Sequence, residues 1–279
     1  MQRLNGLIIG LMILLVAFSS INAQQADAEE LRKGKHFIKT EVFSAEEDAE
    51  LIKMFEGLRV ADVSDGMDYV GLADQGLVDP EILPLWKDVE TMDHQIRGIA
   101  LTMRYVPARK KRYPDPDENY DEWAGHWYGN YSSETWTKLI RSTSVIVIDD
   151  AQSEDCGSIG SFNILDWYKQ GARGVVTDAS SRDTDEIILQ KVPLYLRKVG
   201  RGIRPGRNQL ESVQAPVVIG GVTVCPGDVV IGDGDGVIVV PRHVAETVAK
   251  YASGVLKGDK KNRRQLYEEM DKELDKTVK

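Results

Sequence analysis

Gly157-Ser158-Ile159-Gly160-Ser161, the helical run Ile164–Gln170, the apolar Gly174-Val175-Val176-Thr177-Asp178 and then Ser181-Arg182-Asp183-Thr184-Asp185-Glu186 form the stretch that decides how this chain is read. A glycine turn that opens a helix presents backbone N–H groups with no acceptor inside the helix, a ready seat for a carboxylate or phosphate. Arg182 comes just after an apolar strand, where the ends of sheets meet ligands. Its planar guanidinium can take a carboxylate through two hydrogen bonds. Asp183 beside it offers oxygen to a hard divalent cation, with waters completing the shell. A surface Arg–Asp turn has the same letters, so pattern alone leaves both readings open.

Outward from this stretch, strand and helix alternate and then give way to strands alone. Val145–Ile148 precedes it. Pro193–Leu196, Pro216–Ile219, Val222–Val224, Val229–Ile231 and Val237–Val240 follow it. That order predicts an α/β sandwich rather than a regular doubly wound sheet. Upstream, Ser44-Ala45-Glu46-Glu47 is a capping box opening a helix that runs to Gly57, and a second helix begins near Val60. Ile96–Val106 alternates as a strand. Residues 104–136 break the pattern as a long insertion, with the basic run Arg109–Arg112 and then Tyr120, Trp123, Trp127, Tyr128, Tyr131 and Trp136. Such aromatics either stack on sugar rings or bury the insertion against the body or a neighbouring subunit; burial is the preferred reading. After Pro241 a helix begins, and residues 257–279 are nearly all charged, a C-terminal helix or arm.

Composition removes several classes. With 35 basic and 44 acidic residues in 279, the net charge of −9 argues against nucleic acid as a partner. Two cysteines are too few for a disulfide scaffold or a Cys-rich zinc module, and whether Cys156 and Cys225 pair cannot be read from spacing. Glu154 and Asp155 disfavour a thiolate at Cys156. The four histidines show no ligand spacing. Gly232-Asp233-Gly234-Asp235-Gly236 lacks the remaining ligands of a calcium loop and reads as a hairpin turn. Gly200–Gly206 has a proline inside and no clear strand before it, and is set aside as a dinucleotide loop.

At the N-terminus, Arg3, the apolar run Leu7–Phe18 and the small residues up to Ala23 make the three-part pattern of a secretory signal peptide over residues 1–23. The run is too short to span a bilayer, which takes about 20 apolar residues. The expectation is cleavage after Ala23, a periplasmic or secreted protein without a stable membrane anchor, and a flexible lead-in over residues 24–43.

Taken in order, the motifs resemble the RraA-like superfamily, which holds class II 4-hydroxy-4-methyl-2-oxoglutarate aldolases, oxaloacetate decarboxylases and non-catalytic regulators of ribonuclease activity. The matching text is Val60-Ala61-Asp62-Val63-Ser64-Asp65-Gly66, Gly98–Thr102, Gly174–Asp178, Arg182-Asp183, Gly220–Asp228 and Asp233–Pro241. The resemblance implies a swivelling α/β sandwich over residues 44–256, with a helical N-terminal part and the insertion 104–136, assembled as a homotrimer or hexamer. It also implies a divalent cation, magnesium or manganese, and a small anionic keto-acid substrate.

Carried over by position, the resemblance makes Asp183 the metal anchor and Arg182 the group that binds keto-acid oxygens. Gly160, Ser161, Phe162 and Asn163 would bind the substrate, their backbone receiving its carboxylate, with Glu186 in the metal's outer shell. In the aldolases an acid is followed by twenty residues and then Arg-Asp; here the position of that acid is Ser161. Two activities follow from the resemblance. One is a metal-dependent aldolase or decarboxylase working through a stabilised enolate. The other is a non-catalytic protein that binds a ligand or a protein partner.

Overall fold

A computed structural model describes residues 28–150 and 155–279, so the expected signal peptide and cleavage point lie outside the described residues. The chain divides into a leading unit, Met1–Lys39, and a body, Thr40–Lys279. The described part of the leading unit holds one short helix, α1 (Ala28–Lys33), followed by a Lys35–Glu30 ion pair of 2.6 Å.

The body opens on α2 (Ala45–Lys53), whose capping box is formed as its sequence predicts. The Ser44 hydroxyl accepts from Glu47 N–H at 3.1 Å, and the Glu47 carboxylate accepts from Ser44 N–H at 2.7 Å. Helix α3 (Val60–Tyr69) starts on a carboxylate from far along the chain: Asp233 accepts from Val60 N–H at 2.9 Å. The strands β1 (Leu83–Pro84) and β2 (Ile96–Pro107) follow, then the insertion's helix α4 (Tyr120–Asn130) and β3 (Ser144–Asp149). Next come β4 (Gly157–Ile159), α5 (Ser161–Lys169), β5 (Gly174–Ser181), α6 (Thr184–Gln190) and β6 (Leu194–Val199). The last strands are β7 (Asn208–Val213), β8 (Val217–Ile219), β9 (Val222–Val224), β10 (Val229–Asp233) and β11 (Gly236–Val240), before the long α7 (Ala245–Glu269).

One mixed sheet runs β1-β6-β5-β3-β2-β10-β11, with β4 added to β5 and β7 to β2. Strands β2, β3, β5 and β6 are parallel neighbours, while β10 and β11 form an antiparallel hairpin turning at Gly234-Asp235. The ends of the sheet approach each other. Val78 N–H donates to Val237 O at 3.1 Å and Val239 N–H to Gly76 O at 2.9 Å, just before β1 pairs with β6. The sheet is thereby nearly closed into a barrel within the α/β fold.

Strand β3 shows why this closes a core. Every residue of it is buried. Val145 and Val147 join the cluster containing Val176, Tyr195, Val230 and Val239, whereas Ile146 and Ile148 join Ile164, Trp167 and Ile187 beneath α5 and α6. A strand covered on both faces needs an uninterrupted apolar run, and the alternation sends neighbours to opposite sides. A third cluster seats α2, α3 and α7 on β10 and β11.

Two segments depart from the sequence reading. Asn208–Val213 is a strand although its letters alternate weakly, because it pairs antiparallel with the extension of β2 and because the Trp127 indole donates to Asn208 O at 2.9 Å. The charged C-terminus is helical only to Glu269. It then returns to the body, where Lys276 Nζ donates to Val89 O at 2.7 Å and Val278 is buried.

Ile146 is fully enclosed between β3 and the helices above it. Ile146→Ala should therefore cost about 2–5 kcal/mol of stability, read as a lower urea midpoint at unchanged slope.

Candidate functional site

The short strand β4 lies parallel to the end of β5, pairing Gly157 with Ser180 and Ile159 with Ser181. The Ile159 carbonyl accepts two hydrogen bonds, from Arg182 N–H and from the Ser181 hydroxyl, each at 2.8 Å. The next residue, Gly160, is the N-cap of α5 in extended conformation, with no side chain of its own to cap the helix. Asp183 is the N-cap of α6 and sits in the left-handed region at φ 58°, ψ 38°, a conformation aspartate tolerates better than most residues. Its carboxylate accepts from Ser161 N–H at 3.3 Å and lies 3.7 Å from Arg182 Nε. Gly157 allows this approach: a Cβ there would stand 2.6 Å from the Arg182 Cβ.

A small cleft results, lined by Gly160, Phe162, Asn163, Arg182 and Asp183 together with Gly157, Ser158, Tyr128 and Arg204. Ser161 is not among the lining residues, and its N–H goes to the Asp183 carboxylate. Glu186 is exposed in the first turn of α6 and is not among the residues that line the cleft.

Tyr128 and Arg204, not proposed as site residues from the sequence, complete the walls, and Glu134 stands behind them. Glu134, at the end of the insertion, accepts from Asn163 Nδ2 at 2.8 Å and from the Trp167 indole at 2.9 Å, and pairs with Arg204 Nη1 at 2.8 Å. Tyr128 reaches the cleft from α4. Its phenol is pushed up by burial. Arg204 belongs to Gly200–Gly206, the loop after β6. That loop is tied to the site by Gly157 N–H donating to Gly202 O at 3.0 Å. Its Nε donates to Ser158 O at 2.7 Å.

The donor set suits a hard cation held by few protein ligands. Because the Asn163 amide nitrogen is committed to Glu134, its Oδ1 turns toward Gly160. That oxygen and Asp183 Oδ2 lie 3.9 and 3.0 Å from the point a Gly160 Cβ would occupy. One carboxylate and one amide oxygen, with water and substrate oxygens, match the way magnesium is commonly bound. Among the described residues no group of three or more His, Cys, Asp or Glu gathers, so a cage built wholly from protein is not present there. Cys156 and Cys225 are both free thiols, and burial pushes the Cys156 thiol up, away from the reactive thiolate.

The family model for RraA-like proteins, Aldolase/RraA, matches residues 60–239. The chain belongs to this family. Among relatives of the RraA-like chain, protein DlpA of Legionella pneumophila is 28% identical over 200 residues, covering 71% of this chain and 28% of DlpA. A Halalkalibacterium halodurans protein provisionally named 4-hydroxy-4-methyl-2-oxoglutarate aldolase is 29% identical over 109 residues, covering 38% of this chain and 51% of that protein. The chain thus spans about a quarter and about half of the length of these two relatives. Among solved structures, an uncharacterized protein from Pseudomonas syringae has a TM-score of 0.61 at 27% identity, covering 83% of this chain and 98% of that one. RraAS2 of Streptomyces coelicolor, described as an unusual member of the RNase ES inhibitor RraA family, has a TM-score of 0.63 at 21% identity, covering 78% and 98%. At that identity it shows the fold.

In this RraA-like chain, further carboxylates, Asp149, Asp150 and Asp178, lie at the same end of the sheet and are not among the residues lining the cleft. Burial, and then the charge of Asp149, push the Asp178 carboxyl up to about 6. The folded protein keeps that proton after the unfolded chain has lost it, so this group makes stability fall as pH rises from about 4 to about 6, with no further change above. Asp178→Asn should flatten that decline in urea midpoints measured against pH, and raise stability at pH above 6. Gly157→Ala should cost about 1–3 kcal/mol through its clash with Arg182, measured by the same denaturation.

Proposed function

We propose that the cleft is the active site of a divalent-metal-dependent carbon–carbon lyase, an aldolase or decarboxylase, acting on a keto acid such as 4-hydroxy-4-methyl-2-oxoglutarate or oxaloacetate. The observation that carries this reading is the convergence of Arg182, Asp183 and the N-terminus of α5 on one cleft. Membership in a family whose relatives include proteins provisionally named as such aldolases supports it.

Each residue has a task that its chemistry can meet. Asp183, half-exposed and held by one long hydrogen bond, is the carboxylate that would hold the cation, with the Asn163 amide oxygen nearby. When bound, that cation supplies positive charge opposite the oxygen on which an enolate develops. The first-turn N–H groups of Phe162 and Asn163, beside the Ser161 N–H that Asp183 already holds, receive the substrate carboxylate, a use of a helix N-terminus that favours anions. Arg182 orients the keto-acid oxygens through its planar fork, fixed in place by its own N–H on Ile159 O. The same reading takes the protein as exported after cleavage behind Ala23, and as a homotrimer or hexamer.

A second reading rests on Ser161. The position that carries an acid in the aldolases here has a hydroxyl, which removes a proton-handling group from the helix N-terminus while leaving anion capture intact. A non-catalytic ligand- or protein-binding role in the exported compartment follows if catalysis needs that acid.

Pyruvate release from oxaloacetate and from 4-hydroxy-4-methyl-2-oxoglutarate, assayed with magnesium, with manganese and with chelator, separates the two. The lyase reading expects metal-dependent release that Asp183→Ala lowers by about 100-fold or more. Release from neither substrate, with either metal present, favours the binding role.

A further inference from the structure

We infer that Tyr128, carried in by the insertion, is the acid that protonates the enolate carbon, the task left open by Ser161 standing where the aldolases carry an acid. This rests on the lyase reading of the cleft and assigns it a catalytic residue. The placement begins with α4, where Trp123 and Trp127 are buried in a cluster of their own. The Trp127 indole donates to Asn208 O at 2.9 Å, which fixes the rotation of the helix about its axis. Just beyond the helix, Ser132 O accepts from Arg204 Nη1 at 3.3 Å. One residue past the anchored Trp127 the helix has turned by about 100°, and Tyr128 leaves the cluster for the cleft. It is 40% exposed, so a small molecule seated there can touch it.

Elimination points to the same group. Among the side chains lining the cleft, Arg182 and Arg204 keep their protons throughout the working pH range, and the Asn163 amide has none to give. The Ser158 hydroxyl is buried and donates to Asp150. Asp183 is the carboxylate assigned to the cation. The Tyr128 O–H is left. Burial raises its hold on the proton, so it meets the reaction as the neutral acid. The charges of Arg204 and Arg182 and the Arg204 main-chain N–H act in the opposite sense, and they receive the phenolate when it forms.

The atoms and electrons balance. Cleavage of the carbon–carbon bond leaves its electron pair on the pyruvate fragment as an enolate. The Tyr128 O–H bond breaks, a C–H bond forms at the terminal carbon, and pyruvate results beside a phenolate. Water returns the proton to the phenolate before the next turnover. In reverse, the phenolate takes a methyl hydrogen from bound pyruvate, so the same residue exchanges that hydrogen with solvent.

The test compares wild-type protein with Tyr128→Phe, which loses one oxygen from a part-exposed side chain and should keep the wild-type urea midpoint. Deuterium entry into the pyruvate methyl group is followed by NMR in heavy water with magnesium, and pyruvate affinity is measured by calorimetry. Oxaloacetate cleavage is assayed alongside. Wild type should cleave and exchange. Tyr128→Phe should exchange about 100-fold more slowly, the range of a positioned acid, at unchanged pyruvate affinity. Exchange and affinity falling together mark a merely structural tyrosine and overturn the inference. Exchange by Tyr128→Phe at the wild-type rate also overturns it, as does a wild type that cleaves oxaloacetate but exchanges nothing; the lyase reading survives both. A wild type that neither cleaves nor exchanges sinks the inference and the lyase reading together.

Discussion

Everything in the cleft hangs on one carbonyl oxygen. Ile159 O takes hydrogen bonds from both Arg182 N–H and the Ser181 hydroxyl, and thereby welds the end of β5 to the residue that precedes the N-cap of α5. Strands β4 and β5 are parallel, so both reach this point running the same way and both must turn off the sheet there. One turns into a helix through Gly160, the other into a helix through left-handed Asp183. Neither turn alone would make a site. The shared carbonyl fixes their separation, and with it the distance from the Asp183 carboxylate to the open N–H groups of α5.

The second support comes from outside that pair of strands. Glu134 stands where the insertion rejoins the body, and its two oxygens take an amide from α5, an indole from the next turn of α5 and the guanidinium of the loop after β6. Residues distant in sequence are thus held by one carboxylate at the back of the cleft. The insertion is anchored independently by its aromatics, with Trp123 and Trp127 in their own small cluster and Trp136 packed edge-on against Trp167 at 4.9 Å between ring centres. Burial of these rings supplies the energy, and Glu134 and Tyr128 are the polar groups that the buried rings carry into position.

What could be read from the sequence follows from how locally each feature is encoded. The capping box at Ser44, the hairpin at Gly234-Asp235 and the β3 apolar run are set by neighbouring letters, and each forms as those letters dictate. The convergence of Gly160, Asn163, Arg182 and Asp183 was legible because a strand–turn–helix unit brings its own ends together. Arg204, Glu134 and Tyr128 were not. Their roles depend on contacts between the insertion, α5 and the loop after β6, and no periodicity reports a tertiary contact. Gly200–Gly206 did carry a signal, a glycine-rich stretch with two arginines. Judged only as a dinucleotide loop, it failed; judged as a loop at the carboxyl end of a parallel strand, it had the right address.

Ser161 then takes on a definite physical meaning. A carboxylate at that position would stand in the first turn of α5, next to Asp183, and would repel any anion arriving at the helix N-terminus. With serine there, Asp183 is the one carboxylate lining the cleft among the described residues, beside two guanidiniums and bonded to the first N–H of α5. An anionic ligand in the proposed site would meet one carboxylate fewer, and proton transfer there would lose a participant. A lyase and a binding protein built on this cleft share the first property and differ in the second. The two proposed roles therefore part at the proton, since the electrostatics that would hold an anion are common to both.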